Sequence, residues 1–327
     1  MRLSLVLCLF LAGCVAAPRL ATVERRVMLM GTSLEIAVEA ADRETALAAS
    51  ERAVRALEAA EARLSTWRDG TELARLNQAP AGEPVPLSPA LAADLEAARR
   101  CWKETEGAFD PGVGALVRAW GLRDGGRQPS GEERRAAVAA GGLDGLRLED
   151  GAAVRERPGL VLEEGGFGKG AGLGDALDVL SETPGVARAC LDLGGQVAVL
   201  GQGWSVPVAD PLQRQRTVVE LAIDGGSVST SGMSEKGRHI LDPRTGEPVP
   251  DMGSVTVWTA DPLRADCLST GLYVLGPERA LDWAAAHPGV EALVLLPRGE
   301  RLEAWASPGL KGRLRTLSPE VRIEYRN

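Results

Sequence analysis

Histidine and the phenyl side chains are scarce in this chain of 327 residues, which has two histidines, two tyrosines and three phenylalanines. Any imidazole chemistry therefore falls to His239 or His287. Cysteine is nearly as sparse. Of the five present, Cys8 and Cys14 lie near the N-terminus, and Cys101, Cys190 and Cys267 are widely separated. Such spacing excludes a disulfide framework and a cysteine-based zinc site, and the three read as buried thiols. Positive charge is in deficit: 37 Lys and Arg against 45 Asp and Glu give a net charge of −8. That balance argues against nucleic acid as a partner and leaves no polybasic patch for a membrane surface. Internal repeats, low-complexity tracts and later segments apolar enough to cross a bilayer are all missing.

The one pronounced apolar run is Leu3 to Leu11, which follows Met1-Arg2 and leads into Leu11-Ala12-Gly13-Cys14. It falls short of the ~20 residues a spanning helix needs, so it reads as a secretory signal peptide. Leu-Ala-Gly-Cys also resembles the site at which bacterial lipoprotein precursors are acylated and cut. The resemblance implies that residues 1–13 are removed and Cys14 becomes the lipidated first residue; the alternative is an ordinary signal peptide with an incidental cysteine. Residues 14–22 then form a tether, and residues 23–327 form the folded domain. The expected location is the bacterial cell membrane, inner or outer, with the protein lipid-anchored and facing the periplasm.

Two strand-like runs, Val23–Met30 and Leu34–Val38, are expected to pair as a hairpin across Gly31-Thr32. Asp42 caps an alanine-rich helix running to about Leu64. Ser88-Pro89 opens another, to about Glu106, and Ser130 with Glu133 forms a capping box. From about Leu160 the texture becomes strand-rich. Leu160–Leu162, Val186–Leu193, Val197–Leu200, Val206–Val208, Val218–Ile223, Val255–Thr259, Val290–Leu296 and Glu303–Ala306 read as strands. Gly170–Leu180, Ala265–Leu275 and Glu278–Ala286 read as helices between them. Strands in runs with helices set apart predict an α+β fold of mixed or antiparallel sheets with flanking helices.

Five stretches carry the chemistry. Glu163-Glu164-Gly165-Gly166-Phe167-Gly168-Lys169-Gly170 lies between an expected strand and a helix. Its glycines let backbone amides approach an anion, and Lys169 and the helix N-terminus add positive potential; a tight structural turn is the competing reading. Ser229-Thr230-Ser231-Gly232 offers hydroxyls at a strand end for phosphate oxygens, or is a solvated turn. It precedes His239-Ile240-Leu241-Asp242-Pro243-Arg244-Thr245-Gly246, in which His239 is either a base or structural; His287 reads as a helix C-terminal cap. Asp266 and Thr270, four apart, project oxygens from one helical face. They offer a partial shell for magnesium, or else Asp266 is a first-turn aspartate favouring its own helix dipole. Ala108-Phe109-Asp110-Pro111 leading to Trp120-Gly121 lines a ring pocket or forms a turn over a core tryptophan.

In this order, with Met30-Gly31-Thr32, Ser65-Thr66-Trp67, Glu72, Asn77, Asp175 and Leu193-Gly194-Gly195, these motifs resemble the FAD:protein FMN transferase (ApbE-type) family. The likeness covers nearly all of the chain beyond the leader. It implies an ApbE-like, T-fold-related architecture. It also implies transfer of the FMN half of FAD to a threonine or serine hydroxyl of an acceptor flavoprotein subunit, an extracytoplasmic redox protein, with release of AMP. By the same resemblance Met30, Trp67, Ala108, Phe109, Asp110, Glu163, Lys169 and His239 bind FAD. Gly166, Asp266 and Thr270 hold Mg2+, and His239 is the base, with Asp242 as second candidate. Trp67 stands where the family has tyrosine, Gly112 where it has threonine, and Glu163-Glu164 where it has aspartate and an apolar residue. Two other functions would use the same site: an FAD pyrophosphatase giving FMN and AMP, and a non-catalytic flavin-binding lipoprotein.

Overall fold

The computed structural model describes residues 20–233, 239–299 and 301–326. The expected signal peptide and Cys14 lie outside the described residues. Strands β1 (Ala21–Leu29) and β2 (Thr32–Ala40) lead into α1 (Arg43–Leu64), α2 (Glu72–Gln78), β3 (Pro84–Pro86) and α3 (Pro89–Glu104). Helices α4 (Gly114–Ala119) and α5 (Gly131–Ala140) precede β4 (Leu146–Glu149) and β5 (Ala152–Arg155). Then come α6 (Gly168–Ser181), β6 (Val186–Leu193), β7 (Gln196–Leu200), β8 (Trp204–Ala209), β9 (Thr217–Ile223), β10 (Gly226–Gly232) and β11 (Ser254–Thr259). The chain continues through α7 (Pro262–Leu275), α8 (Pro277–Ala286), β12 (Val290–Arg298), β13 (Arg301–Ala306), β14 (Leu314–Thr316) and β15 (Val321–Tyr325).

A nine-stranded sheet in the order β1-β2-β6-β7-β10-β11-β12-β13-β15 forms the spine, antiparallel except for the parallel β13–β15 pair. Two three-stranded sheets, β14-β9-β8 and β3-β5-β4, complete an α+β fold. Period-two alternation decides what covers each face. Leu34, Ile36 and Val38 of β2 and Leu191 and Leu193 of β6 pack with Leu57 of α1 and Leu173 of α6. Val255 and Val257 of β11 with Val294 and Leu296 of β12 pack under Leu268 and Leu272 of α7. The intervening residues Leu293 and Leu295 point the other way, against Val206, Val219 and Leu221 of the β8–β9 sheet. The sheet is thus buried on both sides at β12, whose residues 292–296 read as an apolar run.

Local signals set most boundaries. Leu29 pairs with Thr32, so the hairpin turn is Met30-Gly31 rather than Gly31-Thr32; both residues have positive φ, 49° and 72°. That is the arrangement a two-residue hairpin turn demands. β1 begins at Ala21, inside the stretch read as a tether. Ser88 and the Ser130–Glu133 box cap α3 and α5 as their sequences predict. Residues 160–162 join no sheet, because other partners take their polar groups. Arg155 donates to the Leu160 carbonyl at 2.7 Å, the Gly114 amide donates to Val161, and Asn77 bonds both the N–H and the C=O of Leu162.

Two features fix the ground under the site. Arg63 of α1, 8% exposed, donates to Asp94 of α3 and Asp175 of α6, each at 2.8 Å, tying three helices together. The N-termini of α6 and α7 also approach so closely that a Cβ on Gly170 would lie 2.3 Å from the Pro262 carbonyl oxygen and 2.6 Å from Leu263 Cα. Both obstacles are backbone and cannot rotate away. Gly170→Ala is therefore expected to lower unfolding stability by about 1–3 kcal/mol, measured by urea denaturation, through separation of the two helices.

Candidate functional site

Helix α7 crosses the middle of the molecule with most of its residues buried. Asp261 caps it, accepting from the amides of Leu263 and Arg264, and Pro262 supplies its first residue. This is the same device as Ser88-Pro89. The helix so begins three residues earlier than expected, and Asp266 falls in the second turn, away from its own N-terminus. Its carboxylate serves another helix. α6 has no side-chain cap of its own, and Asp266 Oδ2 accepts the Gly170 amide at 3.0 Å while Oδ1 lies 3.3 Å from Lys169 Nζ. The first-turn reading of Asp266 is overturned: the aspartate joins α7 to the glycine loop. One turn on, Thr270 Oγ1 lies 3.4 Å from Ser231 Oγ, and Ser231 in turn bonds Ser269 at 3.0 Å. Gly166 sits against this hydroxyl, since a Cβ built there would be 3.5 Å from Thr270 Oγ1.

Phe109 forms the opposite wall. A Cβ on Gly166 would meet its ring at 3.1 Å, and one on Gly271 would meet its Cβ at 3.0 Å, so both glycines admit the phenyl group. Ala108, beside it, is buried. The Asp110 carboxyl is turned to structural work. It accepts the Gly112 amide at 2.6 Å and the Leu143 amide at 3.1 Å. Burial pushes its pKa up to about 6, more than those two amides pull it down. The native state thus holds a proton that the unfolded chain has released, so stability present below the ordinary value of 3.8 is lost as pH rises through about 6. Asp110→Asn, which keeps an oxygen acceptor but does not titrate, is expected to flatten that decline between about pH 4 and about pH 7 in urea denaturation.

Trp67 stands at the rim, 70% exposed. Arg123 lies over its ring, the guanidinium carbon 4.2 Å from the centroid. The same guanidinium pairs with Glu163, whose pKa is raised by burial against the opposing pull of Arg123. Thr66 Oγ1 bridges Glu163, at 3.3 Å, to Glu164.

Ser229, Thr230 and Ser231 lie within β10 rather than beyond it, so their side chains alternate. Ser229 and Ser231 bond Ser269 of α7, whereas Thr230 bonds Thr256 of β11. The neighbouring turn carrying His239 is locked. Asp242 accepts three bonds from Arg244, at 2.9, 2.8 and 2.9 Å. Burial raises the Asp242 pKa, but the Arg244 bonds outweigh it and hold the carboxylate below its usual range. Trp120 Nε1 donates to the Gly246 carbonyl at 2.8 Å and pins the turn to α4.

These elements enclose a cleft of about 330 Å³. Trp67, Ala108, Phe109, Asp110, Glu163, Gly166, Lys169, His239, Asp266 and Thr270 all line it, so sequence positions 67 to 270 converge on one space. Met30 does not line it. Its side chain lies under α6, where Cβ atoms built on Gly168 and Gly172 would come within 3.9 Å of Cε and 3.3 Å of Sδ. His287 caps α8, its Nδ1 2.7 Å from the Trp283 carbonyl and its ring stacked on that indole. Cys101 and Cys267 are buried, Cys190 half-buried, and all three are free thiols. Among the described residues no group of three or more His, Cys, Asp or Glu converges on a point. A cation here would rest on mixed oxygen donors. Arg123, bonded to Thr66, also lines this site and has no motif around it in the sequence; only its place just after Trp120-Gly121 could have drawn attention to it.

The profile of the ApbE family matches residues 30–294. The FAD:protein FMN transferase of Salmonella typhimurium is 30% identical, covering 92% of this chain and 93% of its own. That of Rhodobacter capsulatus is 33% identical over 77% of this chain and 50% of its own. The flavin transferase ApbE from Vibrio cholerae superposes with a TM-score of 0.80 at 29% identity, covering 90% of this chain and 99% of that one. The ApbE protein from Thermotoga maritima gives 0.79 at 26% identity, with 90% and 100% covered. A match that runs from the β1–β2 turn into β12, with a relative alike over nearly its whole length, shows that this chain belongs to the ApbE family.

Proposed function

We propose that this protein is a magnesium-dependent FAD:protein FMN transferase, which moves the FMN moiety of FAD onto a threonine or serine hydroxyl of an extracytoplasmic redox protein and releases AMP. The observation that carries the reading is the meeting, in one cleft, of the Lys169–Asp266 pair, the α6 N-terminus, the Thr270 hydroxyl and His239 beside the Phe109 ring. Lys169 and the amides at the start of α6 offer positive potential to a pyrophosphate. Phe109 and Trp67 provide apolar faces for flat rings. His239 is the group suited to take the proton of the attacking hydroxyl as its oxygen bonds to the FMN phosphorus and the bond to the AMP oxygen breaks.

The donor set fits magnesium. Asp266 is a carboxylate only 4% exposed, met by one ammonium and one amide, and a hydroxyl and a glycine loop stand beside it. Asp266, Thr270 and the backbone oxygen of Gly166 would hold the ion, leaving its other positions to water and phosphate. When bound, it would neutralise the pyrophosphate and stabilise the charge left on AMP.

The test combines protein, FAD, an acceptor domain and magnesium. Flavin fluorescence on the acceptor that survives denaturing electrophoresis, with stoichiometric AMP, is expected. Release of FMN and AMP without acceptor would instead identify a pyrophosphatase, and tight FAD binding with no AMP a carrier. The Leu11–Cys14 pattern supports export and lipid anchoring at Cys14, with the cleft in the periplasm. Fractionation tests this: the wild type should sediment with membranes and Cys14→Ala should not.

A further inference from the structure

Arg123 belongs to none of the motifs, yet at the rim of the cleft it joins Thr66, Trp67 and Glu163. It follows α4 at the turn that Gly121 makes with φ of 58°, closed by the Gly126 amide on the Gly121 carbonyl at 2.8 Å and the Arg127 amide on the Trp120 carbonyl at 2.7 Å. From there one terminal nitrogen donates to the Thr66 carbonyl at 2.9 Å. The other donates to Thr66 Oγ1 at 2.5 Å and pairs with Glu163, while the guanidinium plane covers one side of the Trp67 indole. Trp67 itself is 70% exposed and lines the cleft.

We propose that Arg123 is a positioning residue for the flavin dinucleotide, fixing the Trp67 indole as a stacking platform for a flat ring of the substrate and neutralising Glu163 beside the pyrophosphate. The inference rests on the function proposed above. A guanidinium suits both tasks, since its planar fork can bond a carboxylate and a carbonyl while its face lies on a ring. Glu163 and Glu164 share the Thr66 hydroxyl. Without a cation between them and the cleft, two carboxylates would face an anionic substrate. Arg123 acts through these neighbours, so its loss falls on ground-state binding rather than on the chemical step.

The experiment measures KM and kcat for FAD, and FAD affinity by fluorescence titration, in wild type, Arg123→Met, Arg123→Lys, Trp67→Ala and the Arg123→Met/Trp67→Ala double variant. Arg123→Met is expected to raise KM and Kd about tenfold with kcat within about threefold, and lysine to restore only part of that. In the Trp67→Ala background the same change should have a clearly smaller effect. Equal effects in both backgrounds, or a fall in kcat at unchanged KM, would overturn the proposal. Arg123 and Trp67 lie at the surface, so the variants should fold; thermal melts check this. A wild type that labels the acceptor but is indifferent to Arg123→Met refutes this inference alone. A wild type that neither binds nor cleaves FAD removes the functional reading and this inference with it.

Discussion

Asp266→Asn is expected to reduce flavin transfer by about a thousandfold while leaving the fold at least as stable. The two effects separate because of how the carboxylate is placed. It is 4% exposed and has two partners, the Gly170 amide at 3.0 Å and Lys169 Nζ at 3.3 Å. Asparagine has the same shape and can still accept the Gly170 amide, so α6 keeps its borrowed cap. Lys169, 31% exposed, can return to water. A buried ion pair is weak evidence for stability, because the desolvation of two charges offsets much of their attraction. The same substitution removes the one anionic ligand of the proposed cation site, where Thr270 and Gly166 supply only neutral oxygen. Thermal unfolding reads the loss without reference to turnover. Magnesium at about 100 times its Kd stabilises a single-site protein by about 2.7 kcal/mol. The wild-type melting temperature should therefore rise with magnesium, and that of Asp266→Asn should not. A variant that still responds to the ion, or keeps wild-type transfer, would place the cation elsewhere.

The pairing of Asp266 with Thr270 was legible in the sequence, and the surroundings of the carboxylate were not. Spacing places Asp266 and Thr270 on one face, but the Asp261-Pro262 cap starts the helix three residues before Ala265, which takes Asp266 out of the first turn. Strands were legible where alternation and turn residues agree, as in β6 and β7 around Gly194-Gly195. Residues 160–162 look equally strand-like. They differ because Arg155 nearby and Asn77 and Gly114, remote in sequence, satisfy their backbone. No local pattern carries that information. The short β3–β5 sheet has little local signature for a related reason: its strands are three or four residues long and stabilised by packing on Leu91, Leu95 and Leu143. Several motif residues proved to be architectural. Asp175 holds Arg63, Asn77 holds Leu162, and Trp120 pins the histidine turn. A motif reports that a residue type is needed at a position. Which way the side chain leaves the backbone is a separate matter, as Met30, set beside Gly168 and Gly172 rather than in the cleft lining, illustrates.

His239→Gln is expected to lower kcat by about 10²–10⁴, with a much smaller change in KM for FAD. Proton transfer from the acceptor hydroxyl is a property of the transition state, whereas the dinucleotide is held mainly by Phe109, Trp67, Lys169 and the α6 N-terminus. The rival base is already engaged. Asp242 accepts three bonds from Arg244, which keep its carboxylate below the usual range and so a weaker proton acceptor near neutral pH. Asp242→Asn should loosen the turn but keep most activity, with kcat within about tenfold of wild type. The pH profile distinguishes a base from a merely structural imidazole. A base acts only when deprotonated, so wild-type kcat should fall on the acid side with unit slope, and His239→Gln should lose that limb along with its rate. His287→Gln is the internal control. His287 lies outside the cleft, stacked on Trp283 at the end of α8, and its replacement should change neither the rate nor the profile. An acid limb that survived in His239→Gln but vanished in Asp242→Asn would reverse the assignment and make the aspartate the base.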